Sequence, residues 1–248
     1  ISACLVGSEM CIRDRSYSCR VCYTQEKARE EDDEMRYEWL DDYLMQKRAV
    51  TKDLQPVWNW IRYHVGGRMF TAVCLDNRNR PYYINLKLEP EEGAFLRGQY
   101  KDIIPGYYSD KVHWNSINPD GEVPDDLLRD LLDKSWSLVL AGFSKKRQRE
   151  ILGLTCCGTE CKTCSFYGEN CDGCNECRGK VFHAPEGKAC PIYACCVQKH
   201  RYVNCGACEM LPCDIWRAVR DPALSEEEFE RSVEIRIRNL SGGVKNGI

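Results

Sequence analysis

The sequence has no long hydrophobic run and no excess of basic residues. No stretch reaches the roughly 18 consecutive apolar residues that a membrane-spanning helix needs. The amino terminus carries no basic segment followed by an apolar one, so we expect no export signal and no membrane partner. The formal net charge is −3, which excludes the strongly basic class of nucleic-acid-binding proteins. We therefore expect a cytoplasmic protein in which any nucleic-acid contact comes from a local patch.

A catalytic constellation is also missing. His113, beside Lys111, could serve as a general base, but we find no nucleophile partnered with it and no paired carboxylate at a useful spacing. We therefore expect no catalysis.

Cysteine, in contrast, is abundant. The 248-residue chain has 18 cysteines, and all but five lie between Cys156 and Cys213. Four pairs are spaced so that two thiolates of one tight turn reach the same metal: Cys161/Cys164, Cys171/Cys174, Cys174/Cys177 and Cys205/Cys208. In a reducing cytosol such cysteines are more often metal ligands than disulfides. The pattern predicts a metal cluster, with structural zinc preferred and an iron–sulfur cluster, disulfides or free thiols as alternatives.

The first 34 residues show no pattern of a folded element. The segment CLVGSEMCIRDR, residues 4–15, has no amphipathic period, and its back-translation looks like the transposase adapter used to prepare sequencing libraries. The residues that follow include an acidic run and the pair Cys19/Cys22, for which no second half of a zinc site lies nearby. We interpret residues 1–34 as a non-native extension, part adapter and part upstream translation, before a start at Met35.

Residues 35–150 predict an α+β domain. The spacing of apolar residues predicts helices over Tyr37–Lys47, over Glu89–Tyr100 and from Pro124 onward. Between the first two helices we expect a loop at Thr51–Pro56 and then three strands, WNWIRYHV, RMFTAVCL and PYYINLKL. The stretch YYSDKVHWNSI predicts two more short strands. This order implies one antiparallel sheet with helices on one side.

Five motifs of this domain carry a family resemblance. In chain order they are YEWLDDYL, VGGRMF, LKLEP, PGYYSDKVHWNSI and GEVPDDLL. Together they resemble the MmcQ/YjbR family, which is described as DNA-binding with a frataxin-like fold. The resemblance implies a small cytosolic module that binds DNA through residues on its sheet and turns.

The expected contact surface combines aromatic, basic and amide side chains. Lys and Arg engage phosphates, Asn reads base edges, and exposed rings stack on unpaired bases. The predicted residues are Arg62, Arg68, Tyr107, Tyr108, Lys111, His113, Trp114 and Asn115. In the competing interpretation, Trp114 and one tyrosine fill the core while Asn115 satisfies a turn. Lys and Arg exceed Asp and Glu by only one between residues 35 and 150, so bulk charge contributes little to phosphate binding.

Residues 151–248 predict a separate cysteine-rich domain. The motifs CGTECKTCSFYG, CDGC, CPIYACC and CGACEMLPC resemble a cysteine-rich domain of unknown function from bacteria and archaea that is thought to bind metal. Its recurring cysteines correspond to Cys157, Cys161, Cys164, Cys171, Cys174, Cys190, Cys196, Cys205, Cys208 and Cys213, which leaves Cys156, Cys177 and Cys195 as extras. Ten thiols supply two four-cysteine zinc sites with two left over, and His183 or His200 could replace a sulfur.

Two helices are expected near the end of this domain. A short one is predicted within Pro212–Arg220, and Ser225 with Glu228 forms a capping-box pattern that begins a last helix. The apolar face of that helix, which includes Phe229 and Val233, predicts packing on one of the two domains.

The sequence supports two hypotheses. The preferred one is a DNA-binding protein with an accessory metal-binding module, which could also contact a protein partner. The alternative is a metal- or redox-responsive protein, with an iron–sulfur cluster or an oxidisable zinc site, whose first domain binds a protein or a small ligand.

Overall fold

The structure is a computed structural model that describes residues 36–164 and 166–241. The interpretation of residues 1–34 as a non-native extension, including the pair Cys19/Cys22, lies outside the described residues. No helix in the described part of the chain is both long enough and apolar enough to cross a membrane.

The first region is a six-stranded antiparallel sheet with helices, as the sequence predicts. Its helices are α1 (Leu40–Gln46), α2 (Pro90–Gln99), α3 (Asp125–Ala141) and α4 (Lys145–Leu152). Its strands are β1 (Val50–Gln55), β2 (Trp60–Val65), β3 (Arg68–Leu75), β4 (Pro81–Lys87), β5 (Ile103–Pro105) and β6 (Trp114–Ile117). They lie in the order β1-β2-β3-β4-β6-β5, and each neighbouring pair is antiparallel. The α+β prediction is confirmed.

The main core lies between the helices and one face of the sheet. Helix α3 presents Leu128, Leu131, Leu132 and Trp136 at helical spacing, and all four side chains are buried. They join a cluster that includes strand residues such as Ile84. The apolar repeat of this segment therefore identified the helix and its buried face correctly.

The predicted loop at Thr51–Pro56 is wrong, because this segment forms strand β1. It is an edge strand, so it pairs on one side only, and its four central residues are exposed. Directly across the pairing, Arg62 donates two hydrogen bonds to the Asp53 carboxylate, at 2.9 and 2.8 Å. Cross-strand charge pairing replaces the apolar alternation by which strands are usually recognised.

The segment YYSDKVHWNSI forms one strand rather than two. Only its last part is extended, while residues 107–113 form a loop. The Asp110 carboxylate accepts hydrogen bonds from the backbone N–H groups of Val112, at 3.0 Å, and His113, at 3.3 Å. This Asx-type turn prevents the loop from adopting the extended conformation of a strand. The short neighbouring strand β5 was not predicted from the sequence.

The second region is built from short elements around its cysteines. They are a 3-10 turn (Cys161–Thr163), α5 (Pro191–Tyr193) continued by a π-helical segment (Ala194–Lys199), a second 3-10 turn (Cys205–Ala207), α6 (Asp214–Ala218) and α7 (Glu226–Ser241). The capping box is confirmed: Glu228 accepts from the Ser225 N–H at 2.8 Å, and Ser225 Oγ accepts from the Glu228 N–H at 3.3 Å. Phe229 and Val233 on α7 are buried against the cysteines.

Direct contacts join the two regions. The Arg48 guanidinium, just before β1, donates to Glu160 at 2.7 Å and to Asn239 on α7 at 3.2 Å. Helix α4 contacts both regions, since a Cβ added at Gly66 in the β2–β3 turn would be 2.5 Å from Ile151 Cδ1 and Arg149 Nε donates to Asn175 Oδ1 at 2.7 Å. Helix α4 therefore lies where the sheet domain meets the cysteine-rich region.

Candidate functional site

The second face of the sheet carries its own small cluster. Trp60, Ala72 and Cys74 are buried there, with Tyr82 and Tyr83 packed against them. No helix residue belongs to this cluster in the part of the chain that the structure describes. Burial raises the pKa of the Cys74 thiol to about 12, which fits a packed core residue. This face of the sheet is covered by side chains and by one loop.

That loop, residues 107–113, folds back over the sheet. The Tyr107 N–H donates to Ser116 Oγ at 2.7 Å, and the Tyr107 carbonyl accepts from the Asn85 amide at 3.4 Å. The Tyr107 ring lies 5.2 Å from Tyr83 and 4.3 Å from Tyr108 between centroids. The loop thereby adds two tyrosines to the aromatic side chains of the strands.

The result is a continuous aromatic surface. We call it the aromatic face and define it as Trp58, Trp60, Tyr82, Tyr83, Tyr107 and Tyr108. Trp58 is 58% exposed and Tyr108 is 79% exposed. Tyr108 also has a φ of +56°, a left-handed conformation that side chains other than Gly, Asn and Asp seldom adopt. The exposed rings lie beside the buried ring of Trp60, so a flat apolar group can stack on this surface.

Few free positive charges surround the aromatic face. Arg62 is bound to Asp53, and this hydrogen bond is the main reason why the pKa of the Asp53 carboxyl is lowered. His113 Nδ1 lies 2.6 Å from the Asp110 carboxylate. Lys111 is exposed and takes part in none of the ion pairs found among the described residues. Phosphate contacts at this surface therefore depend on very few side chains.

Three of the predicted contact residues do not belong to the aromatic face. Asn115 is fully buried, where its side-chain oxygen accepts from Arg97, so its predicted role in reading a base edge does not fit the structure. Arg68 belongs to the opposite end of the hairpin, where its guanidinium lies 4.0 Å from the Phe143 ring centroid and donates to the Gly142 carbonyl. Trp114 is half-buried in β6.

Four members of the aromatic face were not predicted from the sequence. They lie in segments that were recognised as strands but were not assigned to the contact surface: Trp58, Trp60, Tyr82 and Tyr83. The available signal was the pair of Trp residues in WNW and the pair of Tyr residues in PYY. Only the sheet register brings them together, since it places Trp60 opposite Cys74 and Cys74 opposite Tyr83.

In the cysteine-rich region, three buried thiols form a series of neighbours. We call Cys156, Cys196 and Cys205 the buried thiol row. The backbone N–H of Cys205 donates to the Cys156 carbonyl at 2.8 Å, and both of these cysteines affect the pKa of Cys196. The pKa of Cys196 is raised to about 12, first by its hydrogen bond with Cys156. Cys156, set aside as an extra on sequence grounds, is therefore part of this series.

A second group of cysteines surrounds Gly173. A Cβ added at Gly173 would be 3.3 Å from Cys161 Sγ, and Cys171 Sγ accepts from the Gly173 N–H at 3.4 Å. Cys177 Sγ donates to the Gly173 carbonyl at 3.1 Å. Burial raises the pKa of Cys174, and the charges of Cys157 and Cys164 act on Cys161. Predicted ligands from two of the four cysteine motifs thus lie in one local group, together with Cys177, which the sequence analysis left as an extra.

A cleft collects most of the remaining predicted ligands. It is lined by Ile192, Cys195, Cys196, His200, Tyr202, Cys205, Cys208, Leu211, Cys213, Ile215 and Trp216. His200 stacks on Tyr202, with centroids 5.3 Å apart. His183 lies instead beside Phe182, at 5.0 Å, and the buried Cys190 lies near Cys205.

The donor chemistry of this region suits a thiophilic metal. All of the described cysteines are free thiols, which are soft ligands that favour zinc or iron–sulfur clusters. Within residues 36–164 and 166–241, no group of three or more His, Cys, Asp or Glu side chains has the geometry to hold an ion as it stands. The interaction with Cys196 and burial raise the pKa of the Cys205 thiol, whereas the indole N–H of Trp216 acts in the opposite direction. That indole N–H is buried without a hydrogen-bond acceptor. An orphaned donor of this kind fits a negatively charged sulfur.

Comparison with known proteins gives matches to part of the chain. Residues 45–138 match the family model described as YjbR. The chain is 37% identical over 89 residues to the uncharacterized protein YbdF of Escherichia coli O157:H7, across 36% of this chain and 71% of that protein. It is 27% identical over 115 residues to the uncharacterized protein YjbR of Escherichia coli strain K12, across 46% of this chain and 96% of that protein.

A solved structure is also similar. Deinococcus radiodurans protein DR2400, described as family-model domain DUF419, shares 30% identity across 47% of this chain and 86% of that chain, with a TM-score of 0.42. The family match lies within the sheet domain and ends before the first residue of the cysteine cluster.

Proposed function

The chain belongs to the YjbR family, and we propose that its sheet domain binds single-stranded DNA on the aromatic face. The preference for DNA comes from the resemblance of the domain motifs to a family described as DNA-binding. The same resemblance leads us to propose a frataxin-like arrangement for the domain and a cytoplasmic location for the protein.

The observation that supports this proposal is the exposure of aromatic rings on a sheet face that no described helix covers. Tyr108 is 79% exposed and Tyr107 is 38% exposed, and their rings are in contact. Stacking of a base on an aromatic side chain contributes about 1–3 kcal/mol and tolerates any sequence, because every base has a flat face. Bases in a duplex are already stacked on each other, so a stacking surface favours unpaired bases over paired ones.

The distribution of charge also favours a single strand over a duplex. Duplex binding is dominated by salt-dependent phosphate contacts, whereas here Arg62 and His113 are paired with acidic residues. Lys111 is the clearest free cation beside the tyrosines. With one or two phosphate contacts, we expect a shallow salt dependence, with a log–log slope of about −1 for a single strand.

The test is a binding titration with labelled oligonucleotides of about 12 nucleotides, single-stranded and duplex, followed by fluorescence anisotropy. Tyr107→Ala and Tyr108→Ala should each weaken binding of the single strand about tenfold. Phe95→Ala is the matched control, because Phe95 is an exposed aromatic residue, 65% accessible, on α2. Failure of the wild type to bind either form at low salt, or equal losses in the tyrosine variants and Phe95→Ala, would contradict the proposal.

We further propose that the cysteine-rich region is an accessory module that holds a thiophilic metal, with zinc preferred. Thiolate ligation of a metal would replace the large hydrocarbon core that this region lacks. The alternative is an iron–sulfur cluster or an oxidisable zinc site in a responsive protein, with the aromatic face binding a protein or a small ligand. Metal analysis and visible absorption of anaerobically purified protein separate these: an iron–sulfur chromophore favours the alternative, and colourless protein with bound zinc contradicts its cluster form.

A further inference from the structure

The aromatic face continues past the tyrosines to the turn between β1 and β2. Trp58 lies in this turn and is 58% exposed. Its ring centroid lies 5.7 Å from that of the buried Trp60, and Tyr82 packs against the cluster that contains Trp60. The Tyr82 ring in turn lies 6.2 Å from that of Tyr107. A series of neighbouring rings therefore joins the exposed Trp58, on one side of the face, to the exposed tyrosines on the other.

Hydrogen bonds hold the turn of Trp58 against the turn between β3 and β4. The Asn59 side-chain amide donates to the Asp76 carbonyl at 2.8 Å and to Asn79 Oδ1 at 3.0 Å. Trp58 directly precedes Asn59, and Arg78 directly precedes Asn79. The contact between the two asparagines therefore brings Trp58 and Arg78 to the same end of the sheet.

The β3–β4 turn supplies a free positive charge there. Its only acidic residue, Asp76, is already neutralised, because its carboxylate accepts two hydrogen bonds from the Arg80 guanidinium, at 3.1 and 3.0 Å. Arg78 is exposed and takes part in none of the ion pairs found among the described residues. Residues 56–59, on the facing turn, carry no charge. The charge of Arg78 is therefore available to an anion that lies beside Trp58.

An exposed indole beside a free guanidinium matches the two parts of a nucleotide. A base stacks on the indole, and a phosphate binds the guanidinium. We propose that Trp58 and Arg78 form a second nucleotide subsite of the aromatic face, so that one DNA strand extends from Lys111 and the tyrosines across the sheet to the β1–β2 turn. The inference rests on the single-strand binding proposed above and specifies the path of that strand.

The sheet order gives the length of the path. The loop of Tyr107 is bound to β4 and β6, whereas Trp58 immediately precedes the strand pair that begins with Asn59 and Trp60 of the β2 side. These positions are separated by roughly two to three strand spacings, or about 10–14 Å. Stacked nucleotides of one strand advance about 3.4 Å each. The site therefore accommodates about three to four nucleotides, close to the shortest sites of OB-fold sheets, about 4 nucleotides.

The test repeats the titration of the full chain with the labelled single strand of about 12 nucleotides at several salt concentrations. Trp58→Ala should weaken binding about tenfold and leave the dependence on salt unchanged, because the indole carries no charge. Arg78→Ala should make the log–log salt slope shallower by about 0.7, the contribution of one phosphate contact to a single strand. A merely structural role of these residues would not separate the two effects.

Conservative variants and a control separate recognition from folding. Trp58→Phe keeps an aromatic ring and should bind within about threefold of the wild type. Arg78→Lys keeps the charge and should keep the salt slope. Arg238→Ala removes an exposed arginine on α7 that forms no ion pair among the described residues, so it should change neither the affinity nor the slope.

The outcomes distinguish this subsite from the binding function itself. If the wild type binds no single strand, the binding proposed above fails and the subsite fails with it. If the wild type binds and only Tyr107→Ala and Tyr108→Ala weaken binding, while Trp58→Ala and Arg78→Ala do not, the second subsite alone is overturned. An equal loss in Trp58→Phe and Trp58→Ala would also overturn it, because stacking would then not be the cause.

Discussion

The two regions of the chain build their interiors from different chemical groups. The core of the sheet domain consists of aliphatic and aromatic side chains such as Leu86, Ile84 and Phe70. In the cysteine-rich region, Cys156, Cys190, Cys196 and Cys205 are buried among a smaller set of apolar residues. Burial of hydrocarbon stabilises a fold in proportion to the area removed from water, whereas thiols stabilise most when they ligate a metal. The first region should therefore be indifferent to metal, and the second should depend on it.

The strongest test of this comparison exchanges one buried thiol in each region for a hydroxyl. Cys205→Ser should lower the bound metal by about one ion per chain and unfold the cysteine-rich region, since a structural zinc site contributes about 10–16 kcal/mol. Cys74→Ser, in the sheet, should leave the metal content unchanged. Elemental analysis gives the metal content, and hydrogen exchange shows which region loses protection. Equal metal content in both variants would refute the contrast.

The converse test truncates a hydrocarbon in the sheet domain. Leu86 is fully buried, so Leu86→Ala should lower the free energy of unfolding of that domain by about 2–5 kcal/mol. The loss should be the same in zinc-loaded and chelator-treated protein, because none of the described cysteines belongs to this core. Urea unfolding followed in both states measures it. A loss that depends on zinc would mean that the two interiors are not independent.

A smaller effect tests how tightly the β2–β3 turn packs on α4, the helix that contacts both regions. Gly66 and Gly67 both have positive φ, +59° and +81°, but only at Gly66 would a Cβ meet the Ile151 side chain on α4. Each Gly→Ala change should cost about 1–2 kcal/mol in backbone strain. Gly66→Ala should cost about 1–3 kcal/mol more, from overpacking against α4. Equal losses in thermal unfolding would show that the turn and α4 are not tightly packed.

The sequence predicted the sheet domain better than the cysteine-rich region, for a physical reason. Residues such as Leu128 and Leu131 repeat at the period of the helix they form, so pattern and structure coincide. Edge strand β1 was not predicted from the sequence, because the charge pair of Asp53 and Arg62 stands where a strand usually shows apolar alternation. The aromatic face depends on which strands pair, and local spacing does not encode that. The buried thiol row combines cysteines up to 49 residues apart, so the two-residue spacing of neighbouring pairs gave no indication of it.

The smallest expected effect concerns the amino-terminal end of α7, which packs Phe229 and Val233 against the cysteines. The backbone N–H and the hydroxyl of Ser225 hold the pKa of the Glu228 carboxyl below its usual value. A carboxyl with a lowered folded-state pKa stabilises the fold above its unfolded-state pKa, about 4.3. This contribution is lost as the pH falls through the folded-state pKa. Glu228→Gln should therefore lower the melting temperature of zinc-loaded protein at pH 7, with the difference from wild type shrinking below about pH 4.3.

The matched variants for this cap are Ser225→Ala and Glu227→Gln. Ser225→Ala should lower the free energy of unfolding by about 1 kcal/mol, the usual contribution of an N-cap side chain. Glu227 lies in the same helical turn but pairs with Arg231 instead of Ser225. Glu227→Gln therefore removes a negative charge that interacts with the helix dipole but leaves the capping box intact. If the second region depends on metal as strongly as its thiols suggest, the cap variants should lower the melting temperature of the zinc-loaded protein by only a few degrees. A loss of metal in Ser225→Ala would instead show that α7 holds the thiols in place.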